Sequence, residues 1–389
     1  IIIELYALTS FSAKIWWFAR VAFLLIEVTF LQHRRDQMYR TEEDGQDQTA
    51  FRRAEKQYKL YYESSKKTKK PKLVDLSQVL DFKLIASSYN QNGELPPAVS
   101  AVQCGSVPSI FRLDSRPGFY FISGALSVEE QCKWIKESLT SFPQPPNRTN
   151  HNAIYGPIYD LYAAAIERRT LVKSDTSAAL DSAVENNSFI NGKAYKWMHE
   201  NEQNDLLENG SDSISASTLL RKLRWTTLGL QFDWSMRNYN SSLPYNKIPD
   251  EMSQLATNLA SPVLSEGEKF RPDAAIVNYF GSRDTLGGHL DDIEADWSKP
   301  IVSLSFGCKA IFLLGGKSRD DTPIAMFLRS GDAVLMAGEA RECYHGVPRI
   351  FADEQNAEIS SLEPYFSNDK MFLDYIRTSR VNINIRQAR

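Results

Sequence analysis

"RVNINIR", residues 380–386, alternates polar and apolar residues at every step. A β-strand sends successive side chains to opposite faces. Arg380, Asn382, Asn384 and Arg386 therefore share one face, and Val381, Ile383 and Ile385 share the other. The apolar face reads as core. The polar face carries two guanidinium groups, whose planar forks suit carboxylates. Alone, such a face is a solvated strand surface, so its meaning depends on its neighbours.

Upstream, short apolar runs are separated by Gly, Asp and Pro: "WTTLGLQF" (225–232), "AAIVNYF" (274–280), "PIVSLSFGCKAIFLLGG" (300–316) and "IAMFLRSGDAVLMAG" (324–338). Many short strands joined by such turns predict a sandwich or barrel, with one helix near 249–260. Further strand residues are read in "RPGFYFI" (116–122). "SVEEQCKWIKESL" (127–139) opens like a capping-box helix, with Ser127 as N-cap and Glu130 three residues on. Residues 45–63 read as a helix, and 73–116 as extended and irregular. Residues 173–218, polar and Ser/Asn-rich, read as an insertion with little order and at most one short helix.

Within this β region, "TLGGHLDD" (285–292) places His289 two residues before Asp291. Strand alternation points both side chains the same way, leaving Leu290 and Asp292 on the other side. Gly287 and Gly288 are read as keeping the approach free of side chains. His-x-Asp is a weak signal by itself. A third ligand is available in "CYHGVPRI" (343–350), where His345 sits at a strand end. Two histidines and one carboxylate leave coordination positions open and suit non-haem Fe(II). A structural zinc site would close four positions, usually with cysteine.

The ordered set His-x-Asp, a distant His and Arg-x-Asn-x-x-x-Arg resembles the AlkB family of Fe(II)/2-oxoglutarate dioxygenases. The stretches "KLRWTTLGLQFDW", "SKPIVSLSFGCKAIFLLGG", "MFLRSGD" and "RTSRVNINIRQ" are similar to its AlkB homolog 1 branch, with plant members nearest in impression. The resemblance covers about residues 117–389. It implies an α+β chain with a double-stranded β-helix core (a cupin-like jelly roll) and flanking helices. It implies Fe(II) held by His289, Asp291 and His345, with 2-oxoglutarate as co-substrate and O2 as oxidant. Arg380 would meet the distal carboxylate of 2-oxoglutarate. Asn278 and Asn382 would line its site, and Arg386 would lie near the iron end. Two departures stand out. Phe280 occupies a position where the family often has a tyrosine that helps bind 2-oxoglutarate, and Asn384 replaces a threonine.

The implied activity is oxidative removal of methyl groups from nucleic-acid bases, with methylated adenine in tRNA or DNA as the expected substrate. Two alternatives stand beside it: a hydroxylase of protein or small molecules, and a catalytically silent nucleic-acid-binding jelly roll. The substrate rim is placed in "LLRKLRWTTLGLQFDWSMRNY" (219–239). Arg224 and Arg237 are expected to meet phosphates, and Trp234 and Tyr239 to pack against substrate. Trp225 and Phe232 read as core.

The net charge of −3 excludes a globally basic surface, so any nucleic-acid field must be local. Residues 51–72 supply one candidate, with nine Lys/Arg, two Glu and a local charge of +7. Residues 1–37 begin strongly apolar, but Glu4, Lys14, Arg20 and Glu27 interrupt them. No uncharged run reaches the roughly 20 residues of a membrane span. This segment is read as non-native or targeting, and no stable membrane association is expected. Residues 38–116 are read as helix, basic run and linker before a catalytic domain at 117–389. Cys104, Cys132, Cys308 and Cys343 form no CxxC pair and read as reduced thiols. The protein is expected to be an intracellular monomer of cytoplasm or nucleus, with an organelle such as the mitochondrion also open.

Overall fold

Residues Ser379–Arg386 form the strand that organises the molecule. A computed structural model describes residues 48–60, 62–64, 69–71, 73–102, 109–174, 188–190, 193–199, 213–233 and 236–389. The apolar segment 1–37, the side chains of the basic run, Cys104, Trp234 and much of the 173–218 insertion lie outside the described residues. From Ala50 onward the chain is one compact unit.

Eight strands build the core: β1 (Ala274–Gly281), β2 (Leu286–His289), β3 (Ile301–Gly307), β4 (Ala310–Leu314), β5 (Ile324–Leu328), β6 (Ala333–Met336), β7 (His345–Ile350) and β8 (Ser379–Arg386). The larger sheet runs β1-β8-β3-β6, and the smaller runs β2-β7-β4-β5. All pairings within both are antiparallel. Apart from the β4–β5 hairpin within the smaller sheet, the chain alternates between the two sheets, which is the double-stranded β-helix. The larger sheet is extended by Trp225–Gly229 beside β1, and beside β6 by Phe119–Ile122, Ile110–Leu113 and Val99–Val102.

β8 is central in its sheet, and both its faces are buried. Val381, Ile383 and Ile385 face apolar core. The helix Lys370–Ile376 packs on β8, and the helices Val128–Thr140 and Asp250–Ala260 pack on β3. The capping box is present: Ser127 Oγ accepts from Glu130 N, and Ser127 N donates to Glu130 Oε2. The polar face of β8 turns into the barrel. There Arg380 stands opposite Phe280 and Gly307, Asn382 opposite Asn278 and Ser305, and Arg386 opposite Ala274 and Ile301.

β4, "AIFLL", is buried throughout because each of its faces has a cover. Phe312 faces the barrel interior near His345. Ile311 and Leu313 face outward under Phe51, Tyr58 and Val79. The first described helix, Ala50–Tyr58, therefore caps the smaller sheet; it is shorter than the expected 45–63. The reading of 73–116 as irregular is corrected. It holds a helix, Phe82–Asn92, and the strands Val99–Val102 and Ile110–Leu113. Asp81 caps that helix through Lys83 N and Leu84 N, and Gly93 at φ +75° ends it. In the insertion, the described parts add a four-stranded sheet of Ser188–Ile190, Lys193–Met198, Thr170–Ser174 and Ser213–Ser215, then the helix Ala216–Arg221.

Candidate metal and anion site

His289 and His345 face each other directly across the β2–β7 ladder. Their ring centroids are 4.3 Å apart. Asp291 completes the group: Oδ1 lies 3.9 Å from His289 Nε2, and Oδ2 lies 3.7 Å from His345 Nε2. One ligand atom from each residue falls within 4.8 Å of the other two, a geometry able to hold one metal ion. The pairing of His289 with Asp291 has a different origin from the expected strand alternation. β2 ends at His289, with a register shift between Leu286 and His289, and Asp291 lies beyond the strand. Asp292 turns outward and is exposed, so its exclusion holds.

Each imidazole is oriented by backbone. His289 Nδ1–H donates to Gly287 O at 3.0 Å, and His345 Nδ1–H donates to Cys343 O at 3.3 Å. These bonds select the tautomer whose Nε2 lone pair faces the metal position. Burial pushes the His345 imidazole down to about 4, helped by His289 beside it. It is thus a neutral imidazole at pH 7, able to offer Nε2 to a metal. Burial raises the Asp291 carboxyl, but Arg386 and the two imidazoles overcome that and hold it far below the usual carboxylate range.

Gly287 and Gly288 do not serve mainly to clear the approach. A Cβ on Gly288 would come within 2.5 Å of the Phe51 ring. Gly288 N also donates to Glu55 Oε1 at 2.6 Å. The glycine admits the helix Ala50–Tyr58 against the strand that carries His289.

Deeper in the barrel, Arg380 is buried and has no carboxylate partner among the described residues. Its Nη2 donates to Ser305 Oγ at 3.1 Å, while Nε and Nη1 have no partner. Its guanidinium lies 5.3 Å over the Phe280 ring. Burial alone pulls it down to about 10, so a desolvated cation waits for an anion. Asn278 Nδ2 donates to Asn382 Oδ1 at 3.4 Å, and Asn382 Nδ2 donates to Ser303 Oγ at 2.8 Å. Unpartnered nitrogens on an enclosed cation are what a carboxylate of 2-oxoglutarate would satisfy.

Arg386 differs. Its Nη2 lies 3.4 Å from Asp291 Oδ2, and its Nη1 lies 2.5 Å from Glu294 Oε1. Glu294 in turn holds Arg341 Nη2 at 2.7 Å. Sequence reading missed Glu294 and Arg341. They carry no motif, and only the fold brings them to Arg386.

The expected rim residues separate. Trp234 lies outside the described residues. Tyr239 pairs with Phe232 across a hairpin of Gln231–Asp233 and Asn238–Asn240, and its phenol faces Arg386, Glu294 and Asp291. Arg237 is exposed, 3.7 Å from Asp292. Arg224 Nη1 is engaged by Asp284 at 3.2 Å and by the Arg221 carbonyl at 3.0 Å, so it is less available to phosphate than expected. Phe232 is core, as read. Trp225 is only half-buried and stands opposite Asn278 on the polar face, which corrects its assignment to core.

Residues 176–386, more than half of the chain, match the family described as the 2OG-Fe(II) oxygenase superfamily. An Arabidopsis thaliana protein named DNA N(6)-methyladenine demethylase ALKBH1A is 60% identical over 89% of this chain and 97% of its own length. The Homo sapiens nucleic acid dioxygenase ALKBH1 is 30% identical over 89% of this chain and 85% of its own. A Schizosaccharomyces pombe protein named tRNA demethylase abh1 is 29% identical over 72% of this chain and 82% of its own.

Proposed function

Because the chain belongs to the 2OG-Fe(II) oxygenase superfamily, in its AlkB homolog 1 branch, we propose that it removes methyl groups from nucleic-acid bases, with methylated adenine in DNA or tRNA as substrate. Enzymes of this superfamily use Fe(II), 2-oxoglutarate and O2. Together these supply the oxidising chemistry that hydroxylates a methyl carbon, after which formaldehyde leaves.

The chain's own residues take these roles in the proposal. His289, Asp291 and His345 hold the iron through two Nε2 atoms and one carboxylate. Arg380 meets one carboxylate of 2-oxoglutarate with its unpartnered Nε and Nη1, and Asn278 and Asn382 line the same face. Phe280 closes that end by packing rather than by hydrogen bonding. Tyr239 is assigned to the base and Arg237 to its phosphate, and the base must be out of its stack to reach the barrel mouth. The buried Arg380 cation without a carboxylate partner among the described residues, on the strand whose Arg386 reaches Asp291 of the His-Asp-His group, is the single observation that carries the dioxygenase part. The printed names of the relatives support nucleic acid as substrate.

The buried free thiols of Cys132, Cys308 and Cys343 support an intracellular setting. No described helix is long and apolar enough to cross a membrane.

The test compares wild type with His289→Ala on whole tRNA and on genomic DNA, reading every modified nucleoside by mass spectrometry. Loss of a methylated adenine from one pool with wild type alone identifies the substrate. If both pools keep all their methylated bases, the proposal fails.

A further inference from the structure

We infer that Glu294 is a positioning residue that sets how Arg386 shares its charge with Asp291, and through it the balance between metal and co-substrate binding. The inference rests on the metal site proposed above but not on the nucleic-acid substrate.

Four charged side chains stand in a row: Arg341, Glu294, Arg386 and Asp291. The links measure 2.7 Å, 2.5 Å and 3.4 Å in that order. Arg341, Glu294 and Arg386 are at most 5% exposed. Burial opposes ionisation of Glu294, yet Arg386 and Arg341 hold its carboxyl below the ordinary value. The row therefore holds two buried cations, one buried anion and the partly buried Asp291, and sums to zero.

Its placement is as telling as its charge. Glu294 lies three residues after Asp291, in a stretch without helix or strand. Arg341 lies in the short turn Gly338–Glu342, just before His345. The Arg341–Glu294 pair thus ties together the two loops that carry Asp291 and lead into His345. Arg386 splits its two Nη groups between Glu294, at the shorter distance, and Asp291, at the longer one. Glu294 draws the guanidinium away from Asp291 and leaves the carboxylate free to face a metal.

The consequence has a sign. With Glu294 neutral, the row carries a net positive charge, and Asp291 is the one carboxylate left to Arg386 among the described residues, with the Tyr239 phenol beside it. Both changes disfavour a divalent cation and favour an anion. Glu294→Gln should therefore move two affinities in opposite directions. Divalent metal should bind about tenfold or more weakly, and 2-oxoglutarate at saturating metal should bind more tightly. Arg341→Gln removes a positive charge from the same row and should do the reverse. A residue that only supports the fold would lower both affinities together.

The experiment titrates wild type, Glu294→Gln and Arg341→Gln with Mn(II), followed by the paramagnetic resonance of the free ion. Mn(II)-saturated proteins are then titrated with 2-oxoglutarate by calorimetry, so that no turnover is needed. Opposite shifts of the two affinities support the assignment. An unchanged Mn(II) affinity in Glu294→Gln overturns it, as does a parallel loss of both affinities in a folded variant. If Glu294→Gln does not fold, the sign of the Arg341→Gln shifts decides. If wild type itself binds no Mn(II), the metal site fails, and this inference with it.

Discussion

The Phe51 ring fills the space beside Gly288: a single added carbon on Gly288 would lie 2.5 Å from the phenyl ring. Phe51 is fully buried between the helix Ala50–Tyr58 and the smaller sheet, and Gly288 immediately precedes His289. A contact some 240 residues apart in sequence thus seats the strand that presents an imidazole to the site.

Gly288→Ala is expected to destabilise the protein by about 1–3 kcal/mol through overpacking. Phe51→Ala should cost about 3–5 kcal/mol through lost burial and a cavity. The two are in contact, so their effects should not add. In the Phe51→Ala background, Gly288→Ala should cost little, because the ring it strikes is gone. Denaturant unfolding of the four proteins of this cycle measures the coupling, and additive costs would show that the contact is not what requires glycine.

Arg380 gives a prediction in which stability and binding part company. An enclosed guanidinium without a carboxylate partner is costly to bury. Arg380→Met should keep the volume, remove the charge and raise the stability of the protein without co-substrate by about 1–3 kcal/mol. The same change should weaken 2-oxoglutarate binding by about a hundredfold, from loss of a charge-assisted pair worth roughly 1.5–3 kcal/mol per hydrogen bond. Thermal unfolding with and without 2-oxoglutarate reads both arms. A variant less stable than wild type in the absence of 2-oxoglutarate would contradict this account of the pocket.

Phe280→Tyr tests the neighbouring departure from the family pattern. Phe280 lies against Arg380, so a phenol at its para position enters the same pocket. One added hydrogen bond to a carboxylate should tighten 2-oxoglutarate about tenfold or more. Calorimetry on Mn(II)-loaded protein is the direct measure, and an unchanged affinity would mean that the hydroxyl does not reach the anion.

Much of this was legible in the residues. The alternation at Arg380–Arg386 gives one apolar and one polar face, and both occur. The capping box at Ser127 and Glu130 is local chemistry and survives folding unchanged. The His289–Asp291 pairing was read correctly but for the wrong reason: the strand stops at His289, and the turn after it aims Asp291. The helix Phe82–Asn92 was missed although Asp81 and Gly93 bracket it with a start and a stop signal. The strands at Val99–Val102 and Ile110–Leu113 are four residues each, too short to show a period. Glu294 and Arg341 were out of reach, because a buried ion pair between residues 47 positions apart leaves no local pattern.

The last prediction concerns pH and a histidine outside the His289–Asp291–His345 group. His151 is buried, and its Nε2–H donates to Leu219 O at 2.9 Å. Burial pushes its imidazole down to about 4, with Arg224 and Lys222 adding to the depression and the Leu219 bond opposing it. In the unfolded chain an ordinary histidine titrates near 6.5. Between pH 6.5 and about 4 the unfolded state therefore binds a proton that the folded state refuses. Stability contributed by neutral His151 is present above pH 6.5 and is lost as pH falls through that window, at about 1.4 kcal/mol per unit. Buried His345 contributes in the same direction in the metal-free protein. Replacing His151 isolates one share: His151→Gln keeps a donor for Leu219 O but cannot titrate. Its stability at pH 7 should be lower than that of wild type, since Gln fills the site less well, while its loss of stability from pH 6.5 to 4.5 should be smaller by roughly 2 kcal/mol. Urea unfolding at half-unit pH steps measures both slopes. Equal slopes would mean that the His151 proton is not excluded by the fold.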